Sequence, residues 1–501
     1  MGNEYLVDIV QYLLRAKKVK APRKEICVSL YSDPSFPSLA AISQTLAYFG
    51  FKNDAFAADI DHLKKLSNIL VHSKENDGHF YVLKEIKNNT AVLYDGNYKT
   101  VSIQRFTGIW DGILLTLGSK TSAPVYSGKD QLQIRFNYFV LSIILLYGFF
   151  MLSGISAVQF LIDTIGLFIS YLLFLRHNSI YSKLLFCHIG EKVDCNAVAD
   201  KNPIKQYLSF DLSILGMFFF LFDSINLCIL NQEDLFLEFV YVIATLLMIF
   251  LSYYQLFIIK TYCLYCLLMT LLVALKLVLL WCNEISNNFD LNPEYGIIAA
   301  IVYLLCVLFY RRTIDNRNFI HEKIALLRIK RKPQSIKSFF PVKHNAYAMN
   351  GVLEFGNKDA SIIITSFVSL NCRHCKAAIK ESSNLINKFP GTFLWRVVID
   401  GAYHSSMSND EFASRNSKQL YLRTIYEQDK KLCFRKLRSW KFKDNLGYDE
   451  DKILKYRDEL EHLSHLGLAH YPTIWINNRV LPTEYSISDL QYIQQDLEQL
   501  K

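Results

Sequence analysis

Six stretches of this 501-residue chain are dominated by Leu, Ile, Val, Phe and Tyr: 134–153, 156–175, 210–230, 237–258, 264–281 and 296–310. A soluble core helix shows a polar stripe at helical period, and these segments mostly lack one. Most reach the ~20 residues that cross a bilayer. The short one, 296–310, relies on Tyr295, Tyr310 and the flanking arginines as anchors. The pattern predicts a membrane domain of about six helices over 134–310.

Outside that region the pattern changes. Residues 1–120 predict a compact α+β unit, with a helix over Glu4–Arg15 and a second over Ser38–Phe49 entered through Pro34-Ser-Phe-Pro37. His79–Leu83 and Thr90–Tyr94 read as strands joined by a turn at Lys87-Asn-Asn, and 121–133 is a polar linker. Residues 311–339 form a basic linker helix with a break at Pro333. Residues 340–501 alternate: strand Ala360–Phe367, helix Cys375–Lys388, strand Phe393–Ile399, a polar helical stretch from Asp410 to His465, and strand Thr473–Ile476.

Composition agrees with a membrane protein. Hydrophobic residues make up 51% and are clustered, and mean hydropathy is +0.15. A length of 501 residues implies two or three units. Met1–Ala21 is mixed and charged, without the apolar core of a signal peptide. The net charge of +9 reflects Lys and Arg flanking the spans. No aromatic-basic reader motif accompanies it, so nucleic acid is not an expected partner.

Cysteine spacing carries the chemistry. Six of eleven cysteines form three pairs: Cys187 with Cys195 in a polar loop, Cys263 with Cys266 in Thr261-Tyr-Cys-Leu-Tyr-Cys, and Cys372 with Cys375 in Asn371-Cys-Arg-His-Cys. Cys27, Cys228, Cys282, Cys306 and Cys433 show no pairing pattern and read as packing residues. Cys372 opens a helix after a strand, where the helix N-terminus, Arg373, His374 and the vicinal thiol all favour a thiolate. The thiolate is the attacking species in disulfide exchange. A CxxC is also half of a zinc site, but the chain shows no second ligand pair beside it, and no metal is expected. Cys263 and Cys266 lie one helical turn apart at a span boundary, where a dithiol can meet a lipid-soluble oxidant. The seven residues between Cys187 and Cys195 let that pair swing between partners or close as a static loop staple.

These motifs carry resemblances. Over residues 340–501, strand, CxxC, helix and a later Tyr471-Pro472 resemble the thioredoxin superfamily. That resemblance implies an α/β thioredoxin-like domain with Cys372 as nucleophile and Pro472 as the cis-proline facing the dithiol. Over about 156–310, a loop Cys-x7-Cys followed by spans and a membrane CxxC resembles the vitamin K epoxide reductase family. The resemblance implies a four-helix core around a quinone of the ubiquinone or menaquinone type. Cys187 would exchange with the thioredoxin-like pair, Cys195 with Cys263, and Cys266 would face the quinone. The family's serine after the loop pair is Lys201 here, and its tyrosine after the CxxC is Thr270. Asn226 is a candidate substitute contact to the quinone, while a lone Asn in a span is more commonly a helix–helix hydrogen bond.

Residues 1–118 resemble the papain-like C39 peptidases of peptide exporters through His79-Phe-Tyr-Val-Leu, Tyr94-Asp95 and Phe36-Pro37. Ser35 stands where their nucleophilic cysteine belongs, and Ser29 stands where a glutamine is expected. A base and an orienter, His79 and Asp95, do not make a triad without the nucleophile. The expected domain is non-catalytic and can bind peptides.

The sequence therefore points to a multi-domain membrane thiol-disulfide oxidoreductase, with dithiol proteins or peptides as substrates and lipid around its helical bundle. The alternative is a peptide-binding or leader-processing component of a peptide export system. Orientation is divided. Lys129, Arg135, Arg176, Lys183, Lys192, Lys201, Lys205, Lys260, Arg311 and Arg312 cluster on the side of the soluble domains, which argues for the cytoplasm. The resemblance and the usual compartment of disulfides argue for the periplasmic side of a bacterial inner membrane.

Overall fold

The computed structural model describes residues 4–120, 124, 152, 154–178, 212–229, 235–281, 293–340, 352–442 and 450–498, apart from 65, 76, 77, 88, 467 and 469. It separates into two compact units, one formed by residues 1–126 with 323–501 and the other by 127–322.

In the first unit, helix α1 (Glu4–Ala16) is amphipathic and buries Leu6, Val7, Ile9, Val10, Leu13 and Leu14. Helices α2 (Arg23–Tyr31) and α3 (Leu39–Tyr48) follow, the latter capped by the Ser38 side chain accepting from the Ala41 N–H. Strands β1 (Phe51–Ala57), β2 (Ile69–Ser73), β3 (His79–Lys87), β4 (Thr90–Tyr94), β5 (Tyr98–Ser102) and β6 (Trp110–Lys120) form an antiparallel sheet in the order β1-β6-β2-β3-β4-β5. Short helices α4 (Ile60–Leu63) and α5 (Ile103–Ile109) complete this α+β layer. Pairing of Val82 with Tyr94 sets the start of β3 next to the end of β4, which brings His79 to Asp95.

The second unit is helical. Helices α6 (Ile155–Asn178), α7 (Leu212–Ile229), α8 (Leu235–Tyr253, continued by a π-helical turn Tyr254–Ile259), α9 (Leu264–Trp281) and α10 (Pro293–Lys330) cover five of the six expected spans. The expected span 134–153 lies outside the described residues except for Leu152. Three of these helices are long and apolar enough to cross a membrane, and α7 and α9 contain shorter apolar helices. The 296–310 segment is not a short, anchored span: it is the first part of the 38-residue α10, which runs on through the basic stretch. Leu, Ile, Phe and Val on α6, α7, α8 and α9 pack into one core around Cys263 and Cys266. Contacts of Ser170 with Met269, and of Asp163 with Lys276, run α6 antiparallel to α9.

Helix α11 (Pro333–Phe339) has Pro333 in its first turn, where a missing N–H costs nothing. Beyond it, β7 (Leu353–Gly356), β8 (Ile362–Ser369), α12 (Arg373–Lys388) and β9 (Phe393–Asp400) lead into the helical insert. That insert comprises α13 (Asn409–Arg415), α14 (Ser417–Gln428), α15 (Lys430–Ser439) and α16 (Glu450–His465). Strands β10 (Thr473–Ile476) and β11 (Arg479–Val480) close a sheet ordered β11-β10-β8-β9-β7, in which only β8 and β9 are parallel among the described pairs. This is a thioredoxin-like α/β fold with a helical insert.

Within this unit the two soluble domains are joined at Arg331. Its guanidinium donates to the Ser29 carbonyl (2.7 Å), Ser32 Oγ (2.8 Å), Asp33 Oδ2 (2.8 Å) and Gln44 Oε1 (3.2 Å). Beside it Lys330 pairs with Asp489 (2.7 Å), and the Tyr485 hydroxyl donates to the Lys330 carbonyl. Lys388 reaches Glu25 (3.0 Å), and Tyr48 stacks on Tyr492. Removing Arg331 leaves Asp33 buried without its cation, which costs about 3–5 kcal/mol. Arg331→Leu in the full-length protein is expected to release the N-terminal domain to proteolysis in mild detergent, whereas Arg331→Lys, which keeps the charge, is expected to release it less.

Candidate functional site

Cys372 occupies the N-cap position of α12, with extended backbone (φ −96°, ψ 123°) between β8 and the helix. The first-turn N–H groups that a helix leaves unpaired point toward this position. The Cys375 N–H bonds the Cys372 sulfur, the Cys375 thiol adds a second bond, and the His374 N–H a third; together they hold the Cys372 pKa below the ordinary thiol value. The exposed side chains of Arg373 and His374 are not what lowers it. Cys375 is fully buried, and burial pushes its thiol up to about 12 against the opposing Ser369 N–H. One sulfur is thus reactive and accessible while its neighbour is protonated and shielded.

The Tyr471–Pro472 bond is cis, and the Cys372 thiol donates to the Tyr471 carbonyl at 3.7 Å. Pro472 therefore faces the dithiol. Two residues not anticipated from the sequence complete the site. Asp400, at the end of β9, has its pKa raised by burial despite bonds from the Gly401 N–H and the Tyr471 hydroxyl. Its charge contributes to raising Cys375, and burial with Asp400 lifts Tyr471 to about 12. The signal was positional: an acid ending the strand after a CxxC helix lies level with the CxxC across the parallel β8–β9 pair, where Asp400 pairs with Ser369.

The second unit holds the membrane dithiol. Cys263 and Cys266 are both buried in the apolar core of the bundle. The Cys263 N–H donates to Gln255 Oε1 (3.4 Å), and Thr270 Oγ1 donates to the Cys266 carbonyl (3.0 Å). Both described pairs carry free thiols. Close to this pair, the hydroxyls of Ser252 and Thr270 share a hydrogen bond of 2.9 Å. Asn226 is not brought to Cys266: it lies at the other end of α7, past Asp223. Cys187 and Cys195 lie outside the described residues, as does Cys282. Cys27 and Cys433 are buried, and burial pushes each up to about 12, in keeping with packing roles.

A second cluster in this bundle was missed. Lys276 of α9 pairs with Asp163 of α6 and Asp223 of α7, all three fully buried or nearly so. Tyr241 of α8 donates to Asp223. Lone charges inside apolar spans are the sequence signal for such a site.

In the N-terminal domain the structure brings His79 and Asp95 together (3.2 Å). Burial opposes ionisation of Asp95, yet bonds from His79 and Lys99 hold it down to about 2. Tyr5 stacks flat on the His79 ring at 4.1 Å. Ser35 does not join them; its hydroxyl and N–H both donate to Asp33, the carboxylate that Arg331 holds.

A cysteine of lowered pKa at a helix N-cap position beside a cis-proline, in one chain with a second CxxC inside an apolar bundle, defines a membrane thiol-disulfide oxidoreductase. Residues 157–281 match the model of the Vitamin K epoxide reductase family, and residues 5–122 match that of the Peptidase C39 family. Each match covers less than half of the chain, one lying on the helical unit and the other on the N-terminal domain. No curated protein matches the chain. Among solved structures, a double glycine motif protease from an AMS/PCAT transporter in complex with the leader peptide is 18% identical, covering 24% of this chain and 87% of that one, at a TM-score of 0.22. BdbD from Bacillus subtilis (oxidised) is 14% identical, covering 31% of this chain and 97% of that one, at a TM-score of 0.23. A periplasmic thioredoxin-like protein from Salmonella enterica serovar Typhimurium is 14% identical, covering 29% and 90%, at 0.22.

The split between the thiols sets a pH dependence. A depressed folded pKa keeps Cys372 a thiolate at pH values where an ordinary thiol is protonated. Alkylation of Cys372 by iodoacetamide in the reduced protein is expected to half-saturate below the ordinary cysteine value of about 8.5, with Cys375 unreactive over the same range. Mass spectrometry of quenched samples checks this, and a Cys375 that alkylates first refutes the assignment.

Proposed function

We propose that the chain oxidises substrate dithiols to disulfides at Cys372/Cys375 and passes the electrons through Cys187/Cys195 to Cys263/Cys266 and on to a quinone. The observation that carries this reading is the pairing of an accessible, low-pKa Cys372 with a shielded Cys375 facing Pro472. Substrate oxidation requires a disulfide whose exposed sulfur is attacked first. A substrate thiolate attacks Cys372, Cys375 is released and takes up a proton, and the substrate's second thiol then attacks the mixed disulfide and releases Cys372 as the good leaving thiolate. The reduced pair regains its disulfide by exchange with the loop pair, Cys187 taking electrons from the thioredoxin-like pair and Cys195 passing them to Cys263. A bound quinone supplies the two-electron sink. The residues that would hold it are Cys266 and the apolar walls around it, among them Leu173, Met269 and Val273.

Disulfide formation needs an oxidising compartment, and on that ground we place the thiol-bearing soluble domains on the periplasmic side of a bacterial inner membrane. A reporter fused at Lys501 that is active only in the cytoplasm would overturn this placement. The N-terminal domain serves as a non-catalytic, peptide-binding module: Ser35 is committed to Asp33, and Tyr5 covers the His79 ring. Purified protein is expected to leave leader peptides uncleaved, and cleavage that disappears in Ser35→Ala would show the opposite.

The relay is tested with cysteine variants in liposomes. Cys375→Ala is expected to trap mixed disulfides through Cys372. Cys187→Ala is expected to keep quinone reduction by dithiothreitol while losing reduction coupled to the C-terminal pair. Cys266→Ala is expected to abolish quinone reduction from every donor, and unchanged turnover in that variant would refute the scheme.

A further inference from the structure

The buried charges of the bundle do not balance. Lys276 faces two carboxylates, Asp163 and Asp223, and all three side chains are at most 1% exposed. A fully ionised trio carries one net negative charge inside the membrane-spanning unit, where an uncompensated charge is costly. One proton on the trio removes it. Asp223 accepts from Tyr241 on Oδ1, and its Oδ2, which makes no hydrogen bond among the described residues, lies against the Lys276 ammonium. Asp163 uses Oδ1 for Lys276, and its Oδ2 is buried with neither a hydrogen bond nor an ion pair among the described residues.

The surroundings give the site a direction. Lys276 lies ten residues beyond Cys266 on α9, about 15 Å along the axis at 1.5 Å per residue. Between the two levels Phe220 is fully buried and packs directly on Gly166, where a Cβ would collide with its ring. On the far side of the trio, Gln159 lies one helical turn from Asp163 on α6, and Asn226 one turn from Asp223 on α7. Both amides are at most 1% exposed and have no hydrogen-bond partner among the described residues. Unpaired buried amides are groups that ordered water satisfies, and a water held there can carry protons to the trio. Tyr241 and Cys228 are the other titratable groups near the trio.

We propose that Asp163, Asp223 and Lys276 form a proton-binding site that carries one exchangeable proton on Asp163 Oδ2. It is loaded through the Gln159–Asn226 end, from the membrane face opposite the dithiol. The proposal rests on the quinone relay for its acceptor. Oxidation of Cys263/Cys266 releases two electrons and two protons; quinol formation consumes two of each. One proton comes from the thiols and one from Asp163, so one thiol proton leaves on the cysteine side and Asp163 recovers one from the other side. Delivery requires the Phe220 ring to move off Gly166.

Infrared spectroscopy of the full-length protein in liposomes tests the site without turnover. The expected result is one protonated-carboxyl band at neutral pH that shifts in deuterated water. Asp163→Asn and Asp223→Asn each leave one carboxylate against Lys276 and are expected to lose it, and Lys276→Met is expected to double it. No such band in the wild type, or a band unchanged in both aspartate variants, overturns the proposal. In sealed vesicles with dithiothreitol on the cysteine side and a short-chain quinone, an internal pH dye is expected to report one proton taken from the opposite face per quinol. Asp163→Asn is expected to remove that uptake and slow quinol formation about 100-fold. Quinol formed by the wild type without this uptake refutes the proton site, whereas a wild type that makes no quinol refutes the relay and leaves the infrared result to decide the site.

Discussion

The buried guanidinium of Arg331 is the constraint on which the soluble unit depends. Four hydrogen bonds satisfy it, and all four partners come from the first 44 residues. Its neighbours in sequence are tied to the last turns of the chain through Asp489 and Tyr485. Three segments far apart in sequence therefore meet at one ion pair. Such a pair is tolerated in an interior only when nearly every donor is met. Asp33 is held from two sides, by Arg331 and by Ser35. Ser35 is thereby part of the scaffold.

The redox chemistry of the C-terminal domain follows from where its two sulfurs stand relative to one helix end. Cys372 is outside the first turn and collects N–H groups; Cys375 is inside it and loses water. The same CxxC spacing in the bundle yields two buried thiols, because α9 begins within the apolar core rather than at a strand end exposed to solvent. Identical motifs thus acquire different reactivity from their surroundings alone.

Much of this was legible in the sequence. The five described apolar helices, the β3–β4 hairpin carrying His79 and Asp95, and the strand–CxxC–helix order all follow from periodicity and turn residues. The hydrophobic pattern does not reveal long-range polar contacts. Asp400 lies 25 residues beyond Cys375 and meets the site only through the parallel pairing of β8 with β9. Arg331 looks like one more linker cation until the chain closes on Asp33. Asn226 is conspicuous as a polar residue in a span, yet its depth in the bundle depends on how α6, α7 and α9 align, and that alignment is set by Asp163, Asp223 and Lys276.

The N-terminal domain meets the thioredoxin-like domain at Lys388 and Phe389, the end of α12 farthest from the dithiol. The open cleft between them, about 570 Å³ and lined by Lys52, Asn53, Asp54, Asn357, Ser361 and Thr392, lies at the same end. A 16-residue helix spans about 24 Å. A segment gripped in that cleft therefore reaches Cys372 only if its cysteine lies some seven extended residues away. One rigid helix therefore fixes the distance between the cleft and the reactive sulfur, whatever enters either of them.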